Sequence, residues 1–265
     1  MTWHELEPAL RRHAHLGTLD TYGEVEDEAG RYPLLRFRTP GRVELLITAG
    51  FHGNEQAGPI SLAEHLPEIV EYAASQQVGL RIYPCVNPSG FDAFTRYNRN
   101  GEKPNNDVLR YELADGTILD MMRTPRQYAR IHAQRGGPAE TRAIVDEILT
   151  VPTPVGALDL HQDPYFAGPL AYAYAFGDLE PYAGLMEMCE PLVHVAKDRE
   201  VDDDVHADEN GLVVLHDGSI SDWFTRRGSK HVAVVETTTD TPMGLACAVN
   251  LVWVKGFIDL CAIEP

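Results

Sequence analysis

Four positions in this chain pair a histidine with an acidic residue three places on: His4/Glu7, His52/Glu55, His65/Glu68 and His206/Glu209. With 11 histidines among 40 acidic residues, roughly one or two such pairs arise by chance, so the spacing alone carries little. Context separates them. His4/Glu7 lies at a terminus and His65/Glu68 at the far end of a helical stretch, and both read as solvated helix faces. His206/Glu209 belongs to the acidic run "EVDDDVHADENG", whose charges most simply stay in water; the alternatives are a calcium-type oxygen cage or a wall selecting basic substrates. His52/Glu55 directly follows the apolar run Val43–Ala49, at the carboxyl end where open α/β sheets gather their ligands. Imidazole and carboxylate at that point suit a metal ion.

A catalytic zinc takes three protein ligands and keeps a fourth position for water. The third is expected from another strand end, and "ALDLHQDPY" places His161 just after the run Val155–Leu160. Hydrolysis also needs a group that takes a proton and returns it to the leaving amine. Glu236 ends the apolar run of "HVAVVETTTD", and an unpaired carboxylate there is costly unless it has a task.

Set in order, these pieces are His52-x-x-Glu55, Asn87-Pro88-Ser89-Gly90, Arg96-x-Asn98-x-x-Gly101, Asp159-Leu160-His161, Gly218-Ser219…Asp222-Trp223…Gly228 and Glu236. The set resembles the zinc carboxypeptidases, the M14-type metallopeptidases, from about Val43 to Thr238. A related branch, the aspartoacylases and succinylglutamate desuccinylases, shares the triad and the glutamate. The resemblance implies one Zn2+ per chain held by His52, Glu55 and His161. It implies Glu236 as general base and acid, and Arg96 as the cation on the oxyanion.

The chain departs from the family pattern at Lys103-Pro104-Asn105-Asn106. Asn105 keeps the position of an asparagine that contacts the substrate's terminal carboxylate, while Asn106 replaces the arginine of a bidentate clamp. Arg99, Arg110 and Arg123 are candidates for a relocated clamp. Lys103 stands where an aspartate holds a ligating histidine by its second nitrogen, leaving Asp107 or Asp159 for that task. A tyrosine expected before the Asp-Trp element is missing, and His216 is the candidate to replace it over the substrate. The expected activity is metallocarboxypeptidase hydrolysis of a peptide bond through zinc-activated water. The alternatives are an amidohydrolase of N-acyl amino acids, with the same machinery, and a non-catalytic zinc- or peptide-binding module.

The elements that must position these residues alternate. Helical spacing covers Trp3–His15, Gly58–Tyr72, Ala139–Leu149, Tyr182–Cys189, Ser219–Arg227 and Leu245–Ala262. Strand-like runs are Thr18–Glu26, Arg31–Arg38, Val43–Ala49, Leu80–Val86, Val155–Leu160, Leu170–Phe176 and His231–Thr237. Asn87–Glu112 reads as irregular, broken by Pro88, Gly90, Gly101 and Pro104. Strand, helix and strand in succession predict a single α/β domain over residues 1–265, a mixed twisted sheet with helices on both faces and a largely parallel centre.

Composition agrees with a globular protein of 265 residues. The formal charge of −18 argues against nucleic acid or an anionic membrane as partner and leaves a small peptide or N-acyl amino acid substrate. Cys85, Cys189, Cys247 and Cys261 form no Cys-x-x-Cys pair, and Cys85 reads as a core residue. The N-terminal stretch carries charges where a signal peptide needs an apolar run, so a reduced, cytoplasmic setting is expected. The sequence leaves the oligomeric state open.

Overall fold

The computed structural model describes residues 1–104, 109–120, 122, 129–133 and 136–263. In chain order come helix α1 (Trp3–Arg12), a short 3-10 turn (Ala14–Leu16), strands β1 (Thr18–Asp27), β2 (Gly30–Arg38) and β3 (Val43–Ala49), helix α2 (Ala57–Ser75), strand β4 (Val78–Tyr83) and helix α3 (Pro88–Ala93). Strands β5 (Leu109–Glu112), β6 (Ile118–Leu119) and β7 (Arg130–Ala133) form a small sheet of their own before helix α4 (Ala139–Ile148). Then follow β8 (Gly156–Asp163), β9 (Leu170–Phe176), helix α5 (Glu180–Cys189), β10 (His194–Val195), β11 (Arg199–Asp202), β12 (Val205–Ala207) and β13 (Leu212–Val213). Helix α6 (Ile220–Arg226), strand β14 (His231–Thr238) and helix α7 (Met243–Ile263) close the described chain.

The main sheet runs β1-β2-β4-β3-β8-β14-β9-β10, with β13 also on β9. Its centre is parallel, β4 to β3 to β8 to β14, and β9 joins β14 antiparallel. The period of two sorts each central strand between two cores. Leu45, Ile47, Leu158, Leu160, Ala233 and Val235 face the side covered by α2, α5 and α7. Leu46, Ala157, Phe176 and Val232 face the side covered by α4 and α6. Asp159, His161, Asp163 and Glu236 share the parity of this second set, which puts them on one face of adjacent strands. Helix α7 is long and apolar enough to cross a bilayer by length and composition. Here its buried stripe, including Val249, Trp253 and Phe257, is core.

The expected mixed sheet with helices on both faces is present, and three local expectations need correction. Asn87–Glu112 is not wholly irregular, since it holds α3 and β5. The acidic run is not a plain loop: β11 and β12 pair as an antiparallel hairpin. The strand expected to stop at Leu160 continues to Asp163, so His161 lies within its last turn of the pleat. Ladder pairing with β14 carries β8 on to Asp163, mutual pairing makes β11 and β12, and the Asn87 cap starts α3.

Candidate metal centre and active site

The path out of β3 is set by glycine. Gly50 takes φ +68°, a region that side chains disfavour, and swings the chain out of the strand. The Glu55 N–H then closes a turn on the His52 carbonyl at 3.1 Å, folding positions 52 and 55 together. The Asn87-Pro88-Ser89-Gly90 motif packs on this turn. Asn87 caps α3 by accepting from Gly90 N–H at 2.9 Å and donates through Nδ2 to the Phe51 carbonyl at 3.2 Å. A Cβ on Gly53 would stand 1.9 Å from the Gly90 carbonyl carbon, so only glycine allows this approach. The Thr95 N–H donates to Gly90 O at 3.0 Å, which ties the loop carrying Arg96 to the same point.

Glu55, 2 % exposed, is the hub. Its Oε1 lies 2.7 Å from His52 Nδ1 and 2.7 Å from Arg96 Nη1, and its Oε2 2.9 Å from His161 Nδ1. Gln162 fixes the surroundings: its N–H donates to Glu55 Oε2 at 3.3 Å, and its Oε1 accepts the Ala57 N–H that opens α2. Burial alone would raise the Glu55 carboxyl, but the charge on His52 and the hydrogen bond and charge of His161 hold it well below the usual range. Burial pushes the His52 ring down against the pull of Glu55. On His161 burial is overcome by Asp159, whose Oδ2 sits 3.1 Å from Nε2, and the ring is pushed up.

Glu236 completes the site. In the sheet register it is opposite His161 on one side and Tyr172 on the other. Burial raises its carboxyl, opposed by His161 and reinforced by Glu55. Tyr172 donates to buried Asp163 at 2.8 Å, and with Tyr165 and Tyr174 these residues wall the pocket.

One ligand atom from each of His52, Glu55 and His161 lies within 4.8 Å of the others, and all three residues are buried. Ligands ~2.1 Å from a shared ion stand ~3.4 Å apart at tetrahedral angles, and the contacts of Glu55 with His52 and His161, 2.7 and 2.9 Å, lie within that reach. Glu236 Oε2 and Arg96 Nε, both buried and both on residues lining the pocket, meet no hydrogen-bonding partner among the described residues. Each such orphan costs about 1–3 kcal/mol unless something occupies the site. Two imidazoles and a carboxylate, with Asp159 fixing one ring from behind, fit a zinc-type ion.

Arg96 is thus in the pocket as expected. Arg99 is not: its guanidinium is bound to Asp92 at 2.9 Å and faces Asp27 at 3.9 Å, a surface tether rather than a substrate clamp. His216 is also not over the pocket. Its Nδ1 sits 3.0 Å from buried Asp222, which also accepts from Arg226 Nε at 3.1 Å, so the ring serves the start of α6. Arg110 pairs with Asp120 at 2.6 Å. Asn105, Asn106, Asp107 and Arg123 lie outside the described residues. Asp159 takes the positioning task, but on His161. Sequence reading missed the pocket tyrosines. The alternation Ala171-Tyr172-Ala173-Tyr174-Ala175 was the signal, because it puts both rings on one face.

No protein-family model matches the chain and no curated protein sequence matches it, so likeness rests on structure. A protein from Shewanella amazonensis, provisionally named a metallopeptidase, superposes with TM-score 0.74 at 24% identity, over 99% of this chain and 93% of that one. A metallo-carboxypeptidase from Burkholderia cenocepacia gives 0.59 at 13%, over 94% and 68%. The murein-tripeptide amidase of Escherichia coli O157 gives 0.53 at 19%, over 93% and 92%. The fold is the metallocarboxypeptidase fold. Within the metallocarboxypeptidase fold of this chain, the metal-type donors sit at the carboxyl ends of β3 and β8, and Glu236 sits on the neighbouring strand.

Proposed function

We propose that this chain is a zinc-dependent hydrolase of peptide or related amide bonds, of the carboxypeptidase type. The observation that carries the reading is the meeting of His52, Glu55 and His161 beside a glutamate whose buried carboxylate oxygen has no partner among the described residues. When bound, the ion would supply Lewis-acid polarisation and acidify water. The chain's own groups do the rest. Glu236 Oε2 takes a proton and returns it to the leaving amine. Arg96, held against Glu55, sets positive charge at the pocket wall where an oxyanion develops.

A second reading, an amidohydrolase of N-acyl amino acids or similar conjugates, is supported by the fold likeness to an amidase and by Asn106 in place of the clamp arginine. A reduced, cytoplasmic setting fits four cysteines that are buried and unbridged. Metal analysis of wild type and His161→Ala tests the core of the proposal: about one zinc per chain in the first and a sharp loss in the second are expected. No zinc in wild type after reconstitution would sink it. Assayed on short peptides and N-acyl amino acids, Glu236→Gln should keep its metal and lose activity by ~10²–10⁴-fold. The substrate that wild type turns over separates the two readings.

A further inference from the structure

The pocket holding His52, Glu55, His161 and Glu236 encloses about 120 Å3. Sites that take a drug-sized ligand measure ~300–1,000 Å3, so this one holds little more than the reacting bond. A groove of about 690 Å3 opens beside it, and Arg96, Tyr165, Val201 and Asp202 line both. A substrate cut in the small pocket keeps most of its bulk in the groove.

Two elements build the groove wall. Residues 164–169, between β8 and β9, present Tyr165, which is 78% exposed, and Phe166. Both rings already meet cations of this chain. The Arg96 guanidinium lies 5.6 Å from the Tyr165 centroid and that of Arg199 4.9 Å from Phe166. The second element is the β11–β12 hairpin. Its alternation turns Val201, Val205 and Ala207 down onto Leu170 and Tyr172, which leaves Glu200 and Asp202 outward. Each accepts from the hairpin's own backbone, Asp202 from Asp203 N–H at 2.8 Å and Glu200 from Asp204 N–H at 3.1 Å. Among the described residues at the groove, Arg96 is committed to Glu55 and Arg199 stacks on Phe166, leaving Lys103 on the lining against Glu200 and Asp202. The described lining of the groove is aromatic, continuous with the reaction pocket and negative on balance.

We propose that this groove is the subsite for the substrate segment flanking the scissile bond and that it selects a cationic group, an ammonium or guanidinium. Asp202, on the boundary with the reaction pocket, supplies the main counter-charge, and Tyr165 the platform. The inference rests on the hydrolytic reading and refines it. The substrate is a peptide or acyl conjugate of at least two residues with positive charge on the groove side.

The test uses matched peptides carrying lysine, norleucine or glutamate at the groove-side position, with kcat/KM and calorimetric binding measured in parallel on the metal-loaded full chain. Lysine should exceed norleucine by about tenfold, with glutamate below both, and the lysine advantage should shrink with added salt. In the Glu200→Gln/Asp202→Asn double variant the lysine-to-norleucine ratio should fall to within about twofold. Equal kcat/KM for lysine and norleucine in wild type, or a preference that survives in the double variant, overturns the groove. If no peptide is hydrolysed but lysine still binds about tenfold tighter than norleucine, the groove stands and the hydrolytic reading falls. No preference in binding together with no turnover overturns both.

Discussion

Asp159 shows how much a single residue does here. It shares a strand face with His161, two positions on, and reaches back to Nε2 at 3.1 Å, leaving Nδ1 directed at Glu55. Partners of this kind fix the tautomer and orientation of a ligating ring, and their loss typically costs 10–100-fold in metal affinity. Asp159→Asn should therefore weaken zinc by roughly that factor in a chelator competition, while His52 and Glu55 still contribute their donors. An affinity unchanged within about twofold would show that the ring needs no such help. The residues legible from sequence were those in conflict with their surroundings. His52, His161 and Glu236 end apolar runs where packing has no use for them. Arg99 and His216 were misplaced because their partners, Asp27 and Asp92 for one and Asp222 for the other, are chosen by tertiary contact that local spacing does not reveal.

At the scale of elements, α6 carries a titration of its own. Burial, opposed by Arg226, pushes the Asp222 carboxyl up to about 6 from the usual 3.8. A carboxyl harder to ionise in the fold than in the unfolded chain contributes fully below the unfolded value and loses that contribution as pH rises through about 6. His216 runs the other way. Burial and then Arg226 push it down to about 4, so its contribution is present above the unfolded value and lost as pH falls through about 4. Comparing wild type with Asp222→Asn by urea unfolding isolates the carboxylate. From pH 4 to pH 7 the balance should move against wild type by about 2 kcal/mol, mostly before pH 6.5. A constant difference across that range would rule the titration out. The elements themselves were readable where the period was long, as in β3, α2 and β9. The six-residue α3 is too short to show a period. The β11–β12 hairpin hid its alternation of valine and alanine beneath acidic composition.

Taken as a whole, the molecule places its four cysteines in the core. Cys85 lies under β1 and β2, Cys247 on α7 near α2, and Cys189 and Cys261 in the large cluster beneath the sheet. Burial pushes the Cys189 thiol up to about 12 and that of Cys247 up to about 11, which suppresses the reactive thiolate. In the native state at pH 8 no thiol should react with an aromatic disulfide reagent within minutes, and all four should react after denaturation. Rapid labelling of any one of them in the native protein would contradict this packing.

The hairpin of β11 and β12 rests on a small core of its own, where Val201, Val205 and Ala207 meet Leu170, Tyr172, Val213 and Leu215. The strands that present His52, His161 and Glu236 are held instead by the two larger clusters. The inward residues Val201, Val205 and Ala207 brace Tyr172, which faces Glu236 across the sheet, whereas Glu200 and Asp202 point outward and carry none of that packing. Rewriting the outward positions Glu200 and Asp202 while keeping Val201, Val205 and Ala207 is the natural route to retargeting the scaffold with its chemistry retained.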